Sequence, residues 1–126
     1  MPATAAGIDI GGTGLKLALV RLDETVAIGP VTLIENHATA DPRVIIESIA
    51  RAIRESLDAA GLSINDLAAV GVGCAGLVDG ARGVVHTSPN LPSWHEVPIR
   101  EELAARLPVP VRLVNDASAF LAAEWL

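Results

Sequence analysis

The stretch Gly-Ile-Asp-Ile-Gly-Gly-Thr-Gly-Leu-Lys, residues 7–16, holds the first side chains that could do chemistry. It supplies one carboxylate (Asp9), one hydroxyl (Thr13) and backbone N–H groups at Gly11 and Gly12 that no side chain shields. Such a concavity lets a phosphate approach while N–H groups point at its oxygens. A carboxylate beside it can hold a magnesium ion, directly or through water. The stretch therefore predicts a phosphate site, with a plain hairpin turn as the alternative.

Asn115 and Asp116 form the second candidate, because they follow an apolar strand and open a helix. Asx residues at such a junction are ordinary helix caps, but one cap suffices and here two Asx residues stand in a row. A carboxylate at the sheet edge that holds a phosphate loop can accept a proton from an attacking hydroxyl. Phosphoryl transfer needs little more than positioned phosphates, a metal and such a base. Asp116 is thus a candidate general base, with a helix cap as the alternative.

Apolar runs predict the strands that must position these residues. Three closely spaced runs open the chain, at residues 5–10, 15–20 and 25–35. Strands so near in sequence are expected to be antiparallel neighbours, the third interrupted at Gly29-Pro30. Two later runs, 67–74 and 111–114, each follow a helix, so we expect them to lie parallel to the first strand.

Helical spacing of apolar residues predicts three helices, over residues 42–60, 98–107 and 117–126. Asp41 caps the first helix and Gly61 ends it. A small hairpin is expected at residues 77–85, followed by a fixed polar loop on the surface at 86–94. The three histidines are interpreted as surface residues, namely His37, His86 and His95.

The carboxyl ends of parallel strands meet at one edge of a sheet. That edge would gather the phosphate stretch with Gly76, Asn115 and Asp116, which all follow predicted parallel strands. Ligands of open α/β sheets bind in this region, so the pattern places a candidate site there.

Composition narrows the class of protein. The 126 residues fit one domain, and 51% hydrophobic residues suffice for a core. The net charge of −6 and the lack of a basic cluster disfavour nucleic-acid binding. The single cysteine, Cys74, permits no disulfide within the chain, which agrees with a reducing cytoplasm. No signal peptide is apparent, and no apolar segment reaches the roughly 18 residues of a membrane span. We expect a cytoplasmic protein that does not bind membranes.

Four motifs in this order resemble the N-terminal domain of the ROK family, which comprises bacterial sugar kinases and related repressors. They read Gly-Ile-Asp-Ile-Gly-Gly-Thr (7–13), Gly-Val-Gly-Cys-Ala-Gly-Leu-Val-Asp (71–79), Ser-Pro-Asn-Leu-Pro-Ser-Trp (88–94) and Val-Asn-Asp-Ala (114–117). The resemblance covers essentially all of residues 1–126. It implies an actin-like, ribonuclease-H-like α/β domain, with a mixed five-stranded sheet in which three antiparallel strands precede parallel β-α units.

The resemblance also implies an activity, ATP-dependent phosphorylation of a hexose, glucose above all, with Asp116 as the general base. The residues that it places on the sugar are Gly76, Ser88, Asn90, Asn115 and Asp116. Those that it places on the nucleotide phosphates and magnesium are Asp9, Gly11, Gly12 and Thr13, with Asp9 on magnesium through water. Lys16 is a further candidate for the phosphates, with a solvated strand lysine as the alternative.

The phosphoryl donor has an alternative. The spacing Gly-Gly-Thr-Gly-Leu-Lys, residues 11–16, also resembles the turn of polyphosphate-using glucokinases of the same family. Polyphosphate therefore stays open as a donor beside ATP.

The chain departs from the family pattern in two ways. Ser93 stands where the family loop usually has glycine, and family members run to about twice this length. Their second domain bears a Glu-x-Gly-His sugar motif, a zinc site in many members and the adenosine pocket, none of which is found in this sequence. The alternatives are therefore a ROK-type transcriptional regulator and an inactive orphan domain that binds sugar or phosphate. Only residues 1–6 precede the first strand, which leaves no room for the regulators' DNA-binding helices, and Asp116 is present, so the kinase is favoured.

The behaviour of the isolated chain follows from the missing second domain. We expect residues 1–126 to fold without catalysing, because such kinases close two lobes around their substrates. The final part of the last predicted helix, residues 120–126, would expose apolar surface that the second lobe covers. Such a patch favours self-association, so we expect a homo-oligomer.

Overall fold

The computed structural model describes residues 4–11, 14–21, 26–35, 41–89 and 91–114. Within these residues the chain forms eight strands, two α-helices and one short 3₁₀ helix. The strands are β1 (Thr4–Ile10), β2 (Gly14–Arg21), β3 (Val26–Glu35), β4 (Leu67–Cys74), β5 (Leu77–Asp79), β6 (Val84–Thr87), β7 (His95–Val97) and β8 (Val111–Val114). The helices are α1 (Pro42–Ala59) and α2 (Ile99–Ala104), with the 3₁₀ helix at Ile64–Asp66.

The main sheet has five strands in the order β3-β2-β1-β4-β8. The first three strands form an antiparallel meander, while β4 pairs parallel with β1 and β8 pairs parallel with β4. Parallel neighbours need a crossover connection, and α1 and α2 lie in those two crossovers. The predicted mixed five-stranded sheet is confirmed. None of the described helices combines the length and the apolar character that crossing a bilayer requires.

Helix α1 supplies much of the core. Asp41 accepts a hydrogen bond from the Arg43 N–H at 2.8 Å, and Pro42 begins the helix, as predicted. One face of α1 is buried through Ile45, Ile46, Ile49, Ala50, Ile53 and Leu57. That face belongs to one apolar cluster with β1, β2, β4 and β8. The strands that carry the candidate site therefore pack against α1.

Strand β3 is continuous, whereas the sequence predicted an interruption at Gly29-Pro30. The register against β2 shifts there, because Leu17 pairs with Thr32 while Leu19 pairs with Ile28. The extra residues on β3 form a bulge, which accommodates a proline whose missing N–H would otherwise break the ladder. β3 is also the edge strand of this sheet, where proline is tolerated.

A second sheet has three strands in the order β5-β6-β7, where the sequence predicted a two-stranded hairpin. The hairpin β5–β6 is confirmed, but the third strand, β7, was not predicted. The loop 88–94, expected on the surface, is partly buried: Ser88 is 7% exposed, and Leu91 and Trp94 are fully buried. Helix α2 is shorter than the predicted 98–107, although Leu107 still packs in the core and donates its N–H to the Leu103 carbonyl at 2.8 Å.

Arg106 clamps α2 to α1. Its Nε donates to Glu47 Oε1 at 2.7 Å, and its Nη1 donates to the carboxylate and the carbonyl of Glu102 at 3.0 and 2.7 Å. Arg106→Ala should lower the free energy of unfolding by about 1 kcal/mol, since three charge-assisted bonds are lost at a partly exposed position. Urea denaturation of the protein measures this change. Arg51→Ala, on the exposed side of α1, is the control and should change it by less than about 0.5 kcal/mol.

Candidate active site at the carboxyl edge of the parallel strands

The sheet register brings the candidate residues towards one edge. Asp9 pairs with Gly73, and Gly73 pairs with Val114, so the three lie in one row across β1, β4 and β8. Adjacent strands are about 4.8 Å apart, which separates the backbones of Asp9 and Val114 by about 10 Å. Asp116 follows Val114 by two residues in the sequence. Asp116 itself lies outside the described residues, so its place beside Asp9 stays a prediction.

The ends of the β1–β2 turn are joined by one backbone hydrogen bond. The Gly11 N–H donates to the Gly14 carbonyl at 3.0 Å, which closes the turn. A Cβ at Gly11 would lie 3.1 Å from that same oxygen, so the close approach favours glycine. Gly12 and Thr13, the other two predicted phosphate ligands, lie outside the described residues.

Asp9 and Lys16 face each other across β1 and β2 at the same edge. Asp9 is half-buried and Lys16 is exposed. Within the described part of the chain, neither side chain forms a hydrogen bond or an ion pair. The carboxylate oxygens of Asp9 are therefore open to a metal ion, a water molecule or a substrate, and the ammonium of Lys16 is open to an anion.

Asp9 fits the expected role at magnesium. The described residues contain no cluster of three or more His, Cys, Asp or Glu that would hold a metal ion by itself. Magnesium at phosphate-transfer sites is typically bound by one or two carboxylates together with waters and substrate phosphates. A single open carboxylate beside a glycine turn suits that mode, so Asp9 would hold the ion only together with a substrate.

Gly76 connects the end of β4 to the loop that was predicted to bind sugar. Its φ is +120°, and a Cβ there would overlap the Thr87 carbonyl oxygen and lie 2.8 Å from the Cα of Ser88. Only glycine satisfies both conditions. The structure thus gives Gly76 a packing role: it lets the chain after β4 lie directly against the backbone that leads into Ser88.

Cys74 and Ser88 add a buried contact between the same two segments. Both residues are buried, and the Cys74 thiol donates to the Ala75 carbonyl at 3.5 Å. Burial raises the pKa of the Cys74 thiol, the Ser88 hydrogen bond opposes this shift, and the negative charge of Asp9 adds to it. Cys74 is therefore a neutral, unreactive thiol, as the sequence predicted. Ser88 is buried where the loop begins, which the sequence alone did not reveal.

The loop 88–94 is fixed at several points. The Leu91 N–H donates to the Ser88 carbonyl at 3.1 Å, and the Trp94 N–H donates to the Leu91 carbonyl at 2.9 Å. At the base of the loop, His86 Nδ1 lies 2.8 and 2.9 Å from the two carboxylate oxygens of Glu96, whose φ of 50° is left-handed. His86, expected on the surface, is only 25% exposed in its side chain. Asn90, a predicted sugar contact in this loop, lies outside the described residues, as do Asn115, His37 and the predicted last helix.

A sequence model of the ROK family matches residues 5–126. The chain belongs to the ROK family. Its relatives include the glucokinase of Thermotoga maritima, which is 38% identical over 120 residues; these cover 94% of the chain and 35% of that enzyme. A putative xylose repressor of Caldicellulosiruptor is 29% identical, with 94% of the chain and 29% of the repressor covered.

A solved structure is also similar to this chain over almost its whole length. The inorganic polyphosphate/ATP-glucomannokinase of Arthrobacter sp. strain KM is 34% identical with a TM-score of 0.75, and the match covers 97% of the chain and 47% of that enzyme. This neighbour supports the actin-like fold that the resemblance implied. The chain spans about a third of the length of the curated glucokinases that it matches.

Proposed function

We propose that this chain is the N-terminal lobe, residues 1–126, of a cytoplasmic ROK-type sugar kinase that transfers a phosphoryl group from ATP to a hexose hydroxyl. The observation that carries the proposal is the row Asp9, Gly73 and Val114, because it aligns the glycine turn with the strand that leads to Asp116. The identity to a glucokinase over nearly the whole chain supports glucose as the acceptor.

The residues would divide the reaction between two sides of that edge. On the donor side, the glycine turn of Gly11, Gly12 and Thr13 would hold the phosphates, with the Gly11 N–H closing the turn on the Gly14 carbonyl and Lys16 as a further cation. Magnesium, when bound near Asp9, would neutralise charge on the phosphates. On this side the chain itself supplies backbone N–H groups, one open carboxylate and one ammonium, which orient the phosphates rather than react with them.

On the acceptor side, Asp116 would take the proton from the sugar hydroxyl that attacks the phosphorus atom. Asn115 and Asn90 would hold neighbouring hydroxyls, together with Ser88 and the backbone at Gly76. The close packing of Gly76 on the backbone of Thr87 and Ser88 supports this assignment, since a sugar contact must be held in place for the attacking oxygen to be aligned.

Two alternatives follow from particular observations. Polyphosphate could replace ATP, because the solved neighbour at 34% identity is named as a kinase that uses both donors. A regulator is the second alternative, because a putative xylose repressor is among the relatives. The presence of Asp116 supports the kinase, since a sugar-sensing protein has no need of a base.

A coupled assay tests the proposal on a longer protein that carries this lobe together with a second lobe like that of its relatives. We expect ADP formation that depends on glucose. Assays with polyphosphate in place of ATP distinguish the donors, and Asp9→Asn should weaken use of the magnesium-bound donor while leaving glucose binding unchanged. If no hexose is phosphorylated with either donor, the proposal that this chain is part of a sugar kinase is wrong.

Residues 1–126 alone should show no turnover in the same assay. With one lobe, the phosphates would lie at an open, wet edge, where electrostatic contacts are weak. Light scattering on the purified chain should show self-association, as expected for a lobe without its partner surface. Glucose-dependent ADP release by this chain alone would contradict the two-lobe requirement, and a strictly monomeric chain at high concentration would contradict the exposed apolar surface.

A further inference from the structure

A cavity of about 440 Å³ opens away from the candidate active site, between the β5–β6 turn, α2 and the start of β8. Val111, on its wall, pairs with Val70, and Val70 pairs with Ala6, three residues before the row that holds Asp9. The cavity is therefore about 10 Å from that row along the strands, towards their amino ends. The cavity is not part of the carboxyl edge of the sheet, where Asp9 lies.

Arg100 is held in place at this cavity. Its backbone N–H donates to the Gly83 carbonyl at 3.1 Å, and its Nη2 donates to the Ala81 carbonyl at 2.9 Å. Gly83 has a φ of +71°, and a Cβ there would overlap Arg100 Cβ and lie 2.8 Å from Nε. The hairpin turn thus packs directly on the stem of Arg100. Because a guanidinium has five N–H donors, most remain available for a ligand in a fixed orientation.

Arg82 brings a second guanidinium to the same cavity. The turn that carries it is fixed, since the Arg82 N–H donates to Asp79 Oδ1 at 3.0 Å. Within the described residues, neither Arg82 nor Arg100 forms an ion pair, although Glu101 also lines the cavity. Two unpaired cations beside one cavity are notable in a chain whose net charge is −6. The planar fork of arginine matches carboxylate and phosphate oxygens.

Apart from Arg82, Arg100 and Glu101, the wall is apolar and comes from Ala104, Val109, Pro110 and Val111. We propose that this cavity binds a small organic anion, a carboxylate or a phosphate monoester. Its charged group lies between Arg82 and Arg100, and its apolar part lies on this wall. The volume is in the range of about 300–1,000 Å³ that is usual for small-molecule sites. The proposal does not depend on the kinase activity.

Benzoate and phenyl phosphate are suitable probes, with neutral benzamide as the uncharged control. In ¹H–¹⁵N spectra of the protein, we expect saturable shifts at the amides of Gly83 and Arg100, with dissociation constants of about 1 mM. The ratio of the two constants shows whether the site prefers a carboxylate or a phosphate. Benzamide should cause no saturable shift at these amides.

Single substitutions show whether Arg82 and Arg100 bind the anion. Arg82→Gln and Arg100→Gln should each weaken binding about tenfold, since each removes charge-assisted hydrogen bonds. Arg51→Gln removes the same charge from the exposed side of α1 and should leave the constant within about twofold. Arg82→Gln tests the proposal even if Arg100→Gln disturbs the turn, because the exposed Arg82 side chain forms no hydrogen bond or ion pair with the described residues. Absence of saturable shifts up to about 20 mM of either anion, or equal weakening by Arg51→Gln, would overturn the site.

Discussion

Asp116→Asn should reduce sugar phosphorylation about 10²–10⁴-fold in a protein that carries this lobe together with a second lobe, while sugar binding stays within about twofold. The amide keeps the shape and most hydrogen bonds of the carboxylate but cannot take a proton. A coupled assay gives kcat, and calorimetry with glucose gives the dissociation constant. The loss should therefore fall on kcat and not on glucose binding.

Asp58→Asn is the matched control, because Asp58 is an exposed carboxylate on α1. It should change kcat by less than about twofold, since it lies away from the edge of the sheet that holds Asp9. The competing role of Asp116 is a helix cap, which would cost about 1 kcal/mol of the free energy of unfolding on replacement by alanine. Turnover at the wild-type level in Asp116→Asn would assign Asp116 to that role.

Gly76→Ala should lower the free energy of unfolding by more than about 3 kcal/mol. Two effects combine: a φ of +120°, which L side chains rarely adopt, and overlap of the new methyl group with the Thr87 carbonyl. Neither neighbour is the end of a flexible side chain, because both contacts are backbone atoms. Urea denaturation measures the change.

Gly61→Ala separates the two effects. Gly61 has a φ of +73°, but nothing lies within 4 Å of a Cβ there, so the substitution should cost only about 1 kcal/mol. A second measurement follows the packing, since Cys74 should react faster with a thiol reagent in Gly76→Ala if the segment over it is displaced. Equal costs at positions 76 and 61 would mean that the backbone at Thr87 yields easily, and the packing of Gly76 on the backbone of Ser88 would then be looser than inferred.

The main sheet was predictable because the spacing of the apolar runs and the helices between them indicate how its strands pair. Closely spaced apolar runs at β1 to β3 pair as a meander, and runs reached through a helix lie parallel. Helix α1 was equally clear, since Asp41, Pro42 and six buried positions at helical spacing agree. These elements alone bring Asp9 and Val114 into one row.

The unpredicted features depend on pairing and packing that leave no periodic pattern in the sequence. Strand β7 has three residues, too few to show a period, and exists because Thr87 pairs with His95. A polar loop pattern also hides Trp94, whose ring is buried and whose Nε1 has no acceptor among the described residues. The packing of Gly76 on the backbone of Thr87 and Ser88 joins residues that no local pattern connects. Local patterns therefore indicated which strands carry the candidate site but not how the loop 88–94 is held.

Strand β1 is made before β2 and β4, yet it lies between them in the finished sheet. The hairpin of β1 and β2 can form within microseconds, whereas β4 begins about 60 residues later in the chain. At translation speeds of about 5–20 residues per second, the free edge of β1 waits about 3–12 s for its parallel partner. Helix α1 emerges in that interval and can cover a face of the meander, but it cannot pair with the edge. The nascent lobe therefore presents an apolar, unpaired strand to chaperones and to other nascent chains until β4 has been synthesised.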